Sequence, residues 1–273
     1  MLRTIGKVSC QCYSKLAPFP SNPRRWQVKG DHKCDLCGKR NATLAHILCG
    51  CPWVLDVEKK SSRGENRYLW RHNCVLRILA RAIQTKVEQV NKSPIRPALE
   101  PIKFVAAGSK SAPQQKSVRF GMLEEARDWK CNFDLPELHP EGSQFVFPYD
   151  VCMTPSRIDG YIVSRKAKVC LAGPELTVPM EERIHHWHTE KFKKYEELVM
   201  CKASGWQVHR LVLEVGSRGF IPPSFVAVLK KLGFPSQEIS VLKNKCSLMS
   251  QRCSYIIWLN RANSNFIPMR LTE

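Results

Sequence analysis

RIDGYIVSRKAKVCLAGPELTVPMEERIHHWHTEKFKKYEELV, residues 157–199, decides the architecture of this chain. RIDGYIVS and KVCLAGPELTV are short β-rich runs separated by turn residues, which reads as two neighbouring strands. Residues 181–203 are polar, with apolar side chains recurring at helical spacing, and read as a helix. Each strand carries one acid in an otherwise apolar run, Asp159 in the first and Glu175 near the end of the second. On the helix, Ile184, His188, Lys191, Tyr195 and Leu198 share one stripe. Ile184 and Leu198 anchor it, so Lys191 is expected to face the sheet. Lys194 lies one step off that stripe and Lys193 points away.

The flanks extend the pattern. SQFVFPYDV, residues 143–151, is expected to be a strand, and WQVHRLVLEVGS another, ending at Gly216. Val75, Leu76, Leu79, Ala82, Ile83 and Val87 recur at three and four within residues 67–90 and predict an amphipathic helix. Two more helices are expected at 223–233 and 236–260. Residues 1–30 read as a basic, irregular arm. Residues 92–140 read as a flexible insertion or linker, because 92–118 carry Pro, Ser, Lys and Gln with little pattern. The order helix, three strands, helix, strand, helices is that of an α/β layer architecture with a mixed central sheet.

Lys and Arg number 43 against 24 Asp and Glu, a net charge of +19. A polyanion is the natural partner for that surface, and nucleic acid the commonest one. The 13 cysteines lie scattered in apolar contexts, with no apolar N-terminal segment after a basic start. They are expected to be buried thiols or metal ligands in a reducing compartment. No run approaches the roughly 18 apolar residues of a spanning helix, so a soluble intracellular protein is expected, without a membrane.

Residues 31–56 hold a compact island, with Cys34, Cys37, His46 and Cys51 spaced C-x2-C-x8-H-x4-C. Zinc favours four thiolate or imidazole ligands, and an island too short for its own core gains its folding energy from the ion. Cys49 lies equally near His46 and stands as an alternative to Cys51; His32 is a weaker substitute.

Two carboxylates from adjacent strands, Asp159 and Glu175, joined by a backbone carbonyl, make an oxygen site for a hard cation such as Mg²⁺. A nearby lysine then orients or deprotonates the attacking water and stabilises the charge that develops on phosphorus. The helix after Glu175 supplies Lys191 and Lys194 as candidates.

At these residues the chain resembles the C-terminal part of a non-LTR retrotransposon (LINE-type) polyprotein of the class that encodes a restriction-like endonuclease. CDLCGKRNATLAHILCGCP resembles its CCHC knuckle, and RYLWRHNCVLRILA its Arg-His-Asp helix. RIDGYI and ELTVPMEERI…HTEKFKKYEEL resemble its Pro-Asp, acidic and Lys-x-x-Lys-Tyr elements. EVGSRGFIPPSFVAVLKKLG and CSYIIWLNRA resemble its closing segment. The resemblance implies a PD-(D/E)xK restriction-endonuclease-like core over residues 65–263, preceded by the knuckle. It implies Mg²⁺ on Asp159 and Glu175, Lys191 as the displaced catalytic lysine with Lys194 and Tyr195 beside it, and Arg71 and His72 as the helix's functional pair. It implies a nuclear enzyme that nicks double-stranded DNA to leave a 3′-hydroxyl primer, with RNA a further partner.

There are departures from the family pattern. Ile158 stands where the family has proline, Asn73 where it has aspartate, and Arg183 where it has asparagine. No Tyr-x-Asp-Asp or Phe-x-Asp-Asp motif occurs, so a truncated, decayed or domesticated copy is expected, without a reverse transcriptase. The alternative function is a nucleic-acid-binding remnant that has lost turnover. Lys230, Lys231, Lys243, Lys245 and Arg252 form a basic face on which a duplex is expected to lie, reaching over Glu175. His185 and His186 are expected on the helix surface, and His188 beside Lys191.

Overall fold

The structure is a computed structural model and describes residues 33–55, 66–94, 121–139, 145–196, 198, 205–263, 266 and 271. The expected arm at 1–30, His32, most of the expected insertion, and the end of the helix expected over 181–203 lie outside the described residues.

Helix α1, Arg67–Lys92, begins where the Asn66 side chain accepts the Leu69 N–H at 2.8 Å and so satisfies one of the open donors of the first turn. Its buried face, from Trp70 through Val75, Leu79 and Ile83 to Val90, follows the spacing read from the sequence. Four strands form one sheet in the order β1 (Lys130–Phe133), β2 (Gly160–Ser164), β3 (Val169–Thr177) and β4 (Gln207–Glu214). The first two junctions are antiparallel and the third is parallel, so the sheet is mixed. Helix α2, Ile184–Lys194, makes the crossover between β3 and β4. Helices α3, Pro223–Leu232, and α4, Ser236–Leu259, complete the order.

The sheet has two covered faces. On one, Phe133, Ile162, Leu171, Leu176, Leu211 and Leu213 pack with α1, α3 and α4 into the main core. On the other, Val163, Cys170 and Ala172 pack with Tyr195, Leu198 and Trp206 and with the segment around Phe147 and Ile158. The architecture is therefore α/β with helices on both faces of a mixed sheet.

The register of β3 against β4 shifts between Ala172 and Glu175, where β3 carries one extra residue. Side chains alternate between faces along a strand, so one extra residue reverses their phase. Before the shift, Val169 and Leu171 enter the main core; after it, Leu176 does. The bulge thereby turns Glu175 to the α2 face instead of the apolar core. Gly173 makes it possible: its φ is +132°, and a Cβ there would lie 2.4 Å from the Leu211 carbonyl oxygen.

Three expectations need correction. Residues 145–151 of SQFVFPYDV are not a strand. Pro148 lacks an N–H to donate, its carbonyl closes a turn by accepting from Val151 and Cys152, and the Phe145 and Phe147 rings pack against Tyr161, tilted and edge-on, instead. The first strand is β1, inside the stretch read as a linker. Residues 121–139 are anchored there: the Trp129 indole donates to the Leu123 carbonyl at 2.7 Å, and the Asn91 side chain bonds both the N–H and the carbonyl of Trp129. Among the cysteines, nine of the described residues are free thiols, whereas Cys152 is disulfide-bonded rather than reduced.

The Cys/His island sits on this body. Ile47, Cys51 and Val54 form its small core, against which Tyr68 of α1 and Trp258 of α4 pack, and Leu48 belongs to the main core.

Candidate active site and metal centre

The island is a tight turn followed by one turn of π-helix. Lys33 bridges Asn41, the Cys34 N–H donates to the Arg40 carbonyl at 2.9 Å, and the Gly38 N–H donates to the Cys34 carbonyl at 2.8 Å. This turn presents Cys34 and Cys37 together, and the π-helix His46–Gly50 brings in His46. The ligand atoms of Cys34, Cys37, His46 and Cys51 all lie within 4.8 Å of one another. Cys34 Sγ is 3.9 Å from Cys51 Sγ, and Cys37 Sγ is 3.3 Å from His46 Nε2. A tetrahedron with Zn–S bonds of about 2.3 Å has edges near these lengths, so the donor set fits zinc in both chemistry and size.

The protonation states fit as well. Burial and the Arg40 charge hold His46 below its ordinary value, in the neutral ligating form. Burial works to raise the Cys37 thiol, yet the Lys39 and Arg40 backbone N–H groups bring it below normal. Without an ion, burial pushes Cys51 up to about 12. Cys49 is not part of the cluster. Its sulfur meets Arg71 Nη2 at 3.4 Å and faces the Val178 carbonyl, which decides between the two candidates in favour of Cys51.

The second constellation joins Asp159, Glu175, Lys191, Tyr195 and His72. Asp159 stands one residue ahead of β2 rather than within it. Its Oδ2 accepts the Leu176 N–H at 2.8 Å, and its own N–H donates to Glu175 Oε2 at 3.1 Å, so the two acids are locked across neighbouring strands. Glu175 is buried, and its Oε1 takes the Lys191 ammonium and the Tyr195 hydroxyl, the latter at 2.9 Å. The Tyr195 oxygen also lies 2.8 Å from the Arg157 carbonyl and accepts from Lys194 Nζ at 3.0 Å. His72 enters from α1. Its Nε2 lies 3.1 Å from Asp159 Oδ2 and 3.2 Å from the Leu176 carbonyl oxygen, and its Nδ1 faces Asn73 Oδ1 at 3.0 Å.

Both ring nitrogens of His72 thus meet acceptors, which favours the imidazolium. Burial opposes that charge, but the Asp159 carboxylate outweighs it and raises His72 to about 9. Asp159, pulled up by burial, is brought below its ordinary value by His72, Lys191 and the Leu176 N–H. Glu175 is raised, by burial first and the Asp159 charge second, against the pull of Lys191.

A cleft of about 980 Å³ opens between the island and the β3–α2 connection, and His72 and Lys191 lie on its wall. Each of them bonds one of the two acids. The lining carries four further charged side chains, Arg40, Arg71, Arg183 and Glu182, of which only the last is acidic.

Arg71, expected to act with His72, turns away from the acids. It is buried and donates to Ser254 Oγ at 2.9 Å and the Val178 carbonyl at 3.0 Å, as well as meeting Cys49. It lies between the island, the end of β3 and α4. His188 does not bond Lys191 either: its Nδ1 lies 2.5 Å from Glu214 Oε1, a fully buried carboxylate that also accepts from Ser224 at 2.6 Å. His185 and His186 are exposed, as expected, and exposed Lys193 pairs with Glu190 at 3.7 Å.

Lys230, Lys231, Lys243, Lys245 and Arg252 sit on α3 and α4, which cover the main-core face of the sheet. Glu175 faces the opposite side of the sheet, toward α2. Arg40 and Trp187, which sequence patterning does not single out, and Arg183, noted there only as a departure from the family pattern, line the cleft.

No family model matches the chain, and no curated protein matches it. No helix among the described residues is long and apolar enough to cross a membrane.

Proposed function

We propose that the chain is a metal-dependent DNA endonuclease with a restriction-like PD-(D/E)xK core, of the kind carried by non-LTR retrotransposon polyproteins, and that it nicks duplex DNA to leave a 3′-hydroxyl. The observation that carries this reading is the locked pair Asp159–Glu175, each acid bonded by a side chain, His72 or Lys191, that lines a basic cleft. The donor set suits a hard cation: two carboxylates and the Leu176 carbonyl, with His72 Nε2 already placed as a positive group between Asp159 Oδ2 and that carbonyl.

When bound, Mg²⁺ held by Asp159 and Glu175 would polarise the scissile phosphate and acidify a bound water. Lys191, on the cleft wall, would hold that water and stabilise charge on the phosphate. Tyr195, with Lys194 on its oxygen, fixes the Glu175 carboxylate, and His72 fixes that of Asp159. The island's zinc would be structural, seating one cleft wall.

Supercoiled plasmid incubated with Mg²⁺ is expected to be nicked by the wild-type chain and left intact by Asp159→Ala. Equal conversion by both proteins overturns the assignment. One observation favours the alternative, a binder without turnover: His72 and Lys191 neutralise both acids with no metal. Its mark is salt-sensitive DNA binding with no Mg²⁺-dependent nicking, the affinity falling by about one logarithmic unit per tenfold salt for each phosphate contacted.

A further inference from the structure

We propose that the cleft between the island and α2 is a binding site for an unpaired DNA strand, with Trp187 as the stacking platform for a base. The inference rests on the nuclease reading only for what happens after binding.

Access is the first ground. The cleft of about 980 Å³ is a recess between the island and the foot of α2, and the bases of a perfect duplex, stacked on one another, are not offered to a ring on its wall, whereas those of one strand are. Chemistry is the second. Trp187 lines the cleft and is 41% exposed although it is a large aromatic, and the one aromatic ring paired with it among the described residues is that of His186. Exposed aromatics beside cations are how proteins hold single strands, because every base offers a π-face and every nucleotide a phosphate.

Charge is the third. Arg40 from the island and Arg183 from the foot of α2 are exposed on the lining, and neither side chain is ion-paired among the described residues. Glu182, the lining's one acid, is held by Arg218 at 3.0 Å. Leu69, Val178 and Pro179 supply apolar wall between the cations, suited to bases and sugars rather than to phosphate alone. A strand held there passes His72 and Lys191, each one bond from an acid. DNA at this site is thus engaged where the duplex is open, at a bubble, flap or end.

The test is fluorescence anisotropy on the full chain without Mg²⁺, using one labelled DNA sequence as a single strand, as a duplex with an unpaired bubble and as a perfect duplex, with the same sequence as single-stranded RNA. The single strand and the bubble are expected to bind at least tenfold tighter than the perfect duplex, by roughly the amount one stacked base contributes. Trp187→Ala is expected to lose roughly 5- to 150-fold on the unpaired DNAs only, and Trp187→Phe to recover most of it. Arg40→Ala with Arg183→Ala should flatten the salt slope by about 1.4, two single-strand phosphates. A perfect duplex bound as tightly as the bubble, an unchanged preference in Trp187→Ala, or RNA bound more tightly than the DNA strand overturns the proposal. A chain that prefers unpaired DNA and never nicks loses the nuclease reading alone. One that nicks plasmid but binds the bubble no better than the duplex loses this inference alone.

Discussion

His72 and Asp159 are the pair on which the site's charge state turns. The His72 value of about 9 stands against an ordinary 6.5, so the folded state favours its proton. That stability is fully present below pH 6.5 and is lost as pH rises through about 9; it is on the order of 3 kcal/mol. Asp159 is depressed, so its share is present above the ordinary carboxylate value and is lost only as pH falls through the folded one. Four groups face the imidazole: Asp159, Asn73 and the Leu176 carbonyl support its charge, and Lys191 opposes it. In buffer free of divalent ions, the wild-type thermal midpoint is expected to drop several degrees more than that of His72→Gln between pH 6.5 and 9.5. Parallel curves for the two proteins would show that the pair does not stabilise the fold. Sequence alone singled out both residues through the family resemblance, but not their bond, because positions 72 and 159 meet only after α1 has docked on the sheet.

Among the elements, β3 matters most, and its one-residue bulge is what gives Glu175 its role. A regular strand would send Glu175 to the face where Val169 and Leu171 are buried and leave a carboxylate in an apolar core. Gly173→Ala forces a Cβ against the Leu211 carbonyl at a backbone angle that only glycine adopts easily. It is expected to cost more than about 2 kcal/mol in denaturant unfolding; a wild-type midpoint for this variant would mean that the bulge relaxes freely. Alternating pattern finds β2, β3 and β4 because their buried residues are theirs by sequence. It misses β1, whose four residues Lys-Cys-Asn-Phe carry one core side chain and owe their strand to pairing with β2. It also mistakes 145–151 for a strand, because aromatic and β-branched residues there serve a packed turn around Pro148.

At the scale of the molecule, the island and the body pack as one and are expected to unfold together. Leu48 lies in the main core, the Tyr68 hydroxyl accepts the Cys51 N–H at 3.1 Å and donates toward the Ile47 carbonyl at 3.0 Å, and Arg71 spans both parts. Purified chain is expected to carry about one zinc, and a chelator is expected to lower the midpoint of the whole thermal transition. A separate low-temperature step with the main midpoint unmoved would show the island to be independent. Legibility follows the same division: ligand spacing along the chain is local and readable, while the wall that the island forms over His72 and Lys191 is a product of docking. Arg71 adds a condition of electroneutrality. Its guanidinium is buried on neutral acceptors, with Nε unbonded, and no carboxylate among the described residues pairs with it. Three thiolates and an imidazole around a bound Zn²⁺ would sum to one negative charge, so an ion in the island, which Arg71 meets through Cys49, would supply the interior with a compensating charge as well as a geometry.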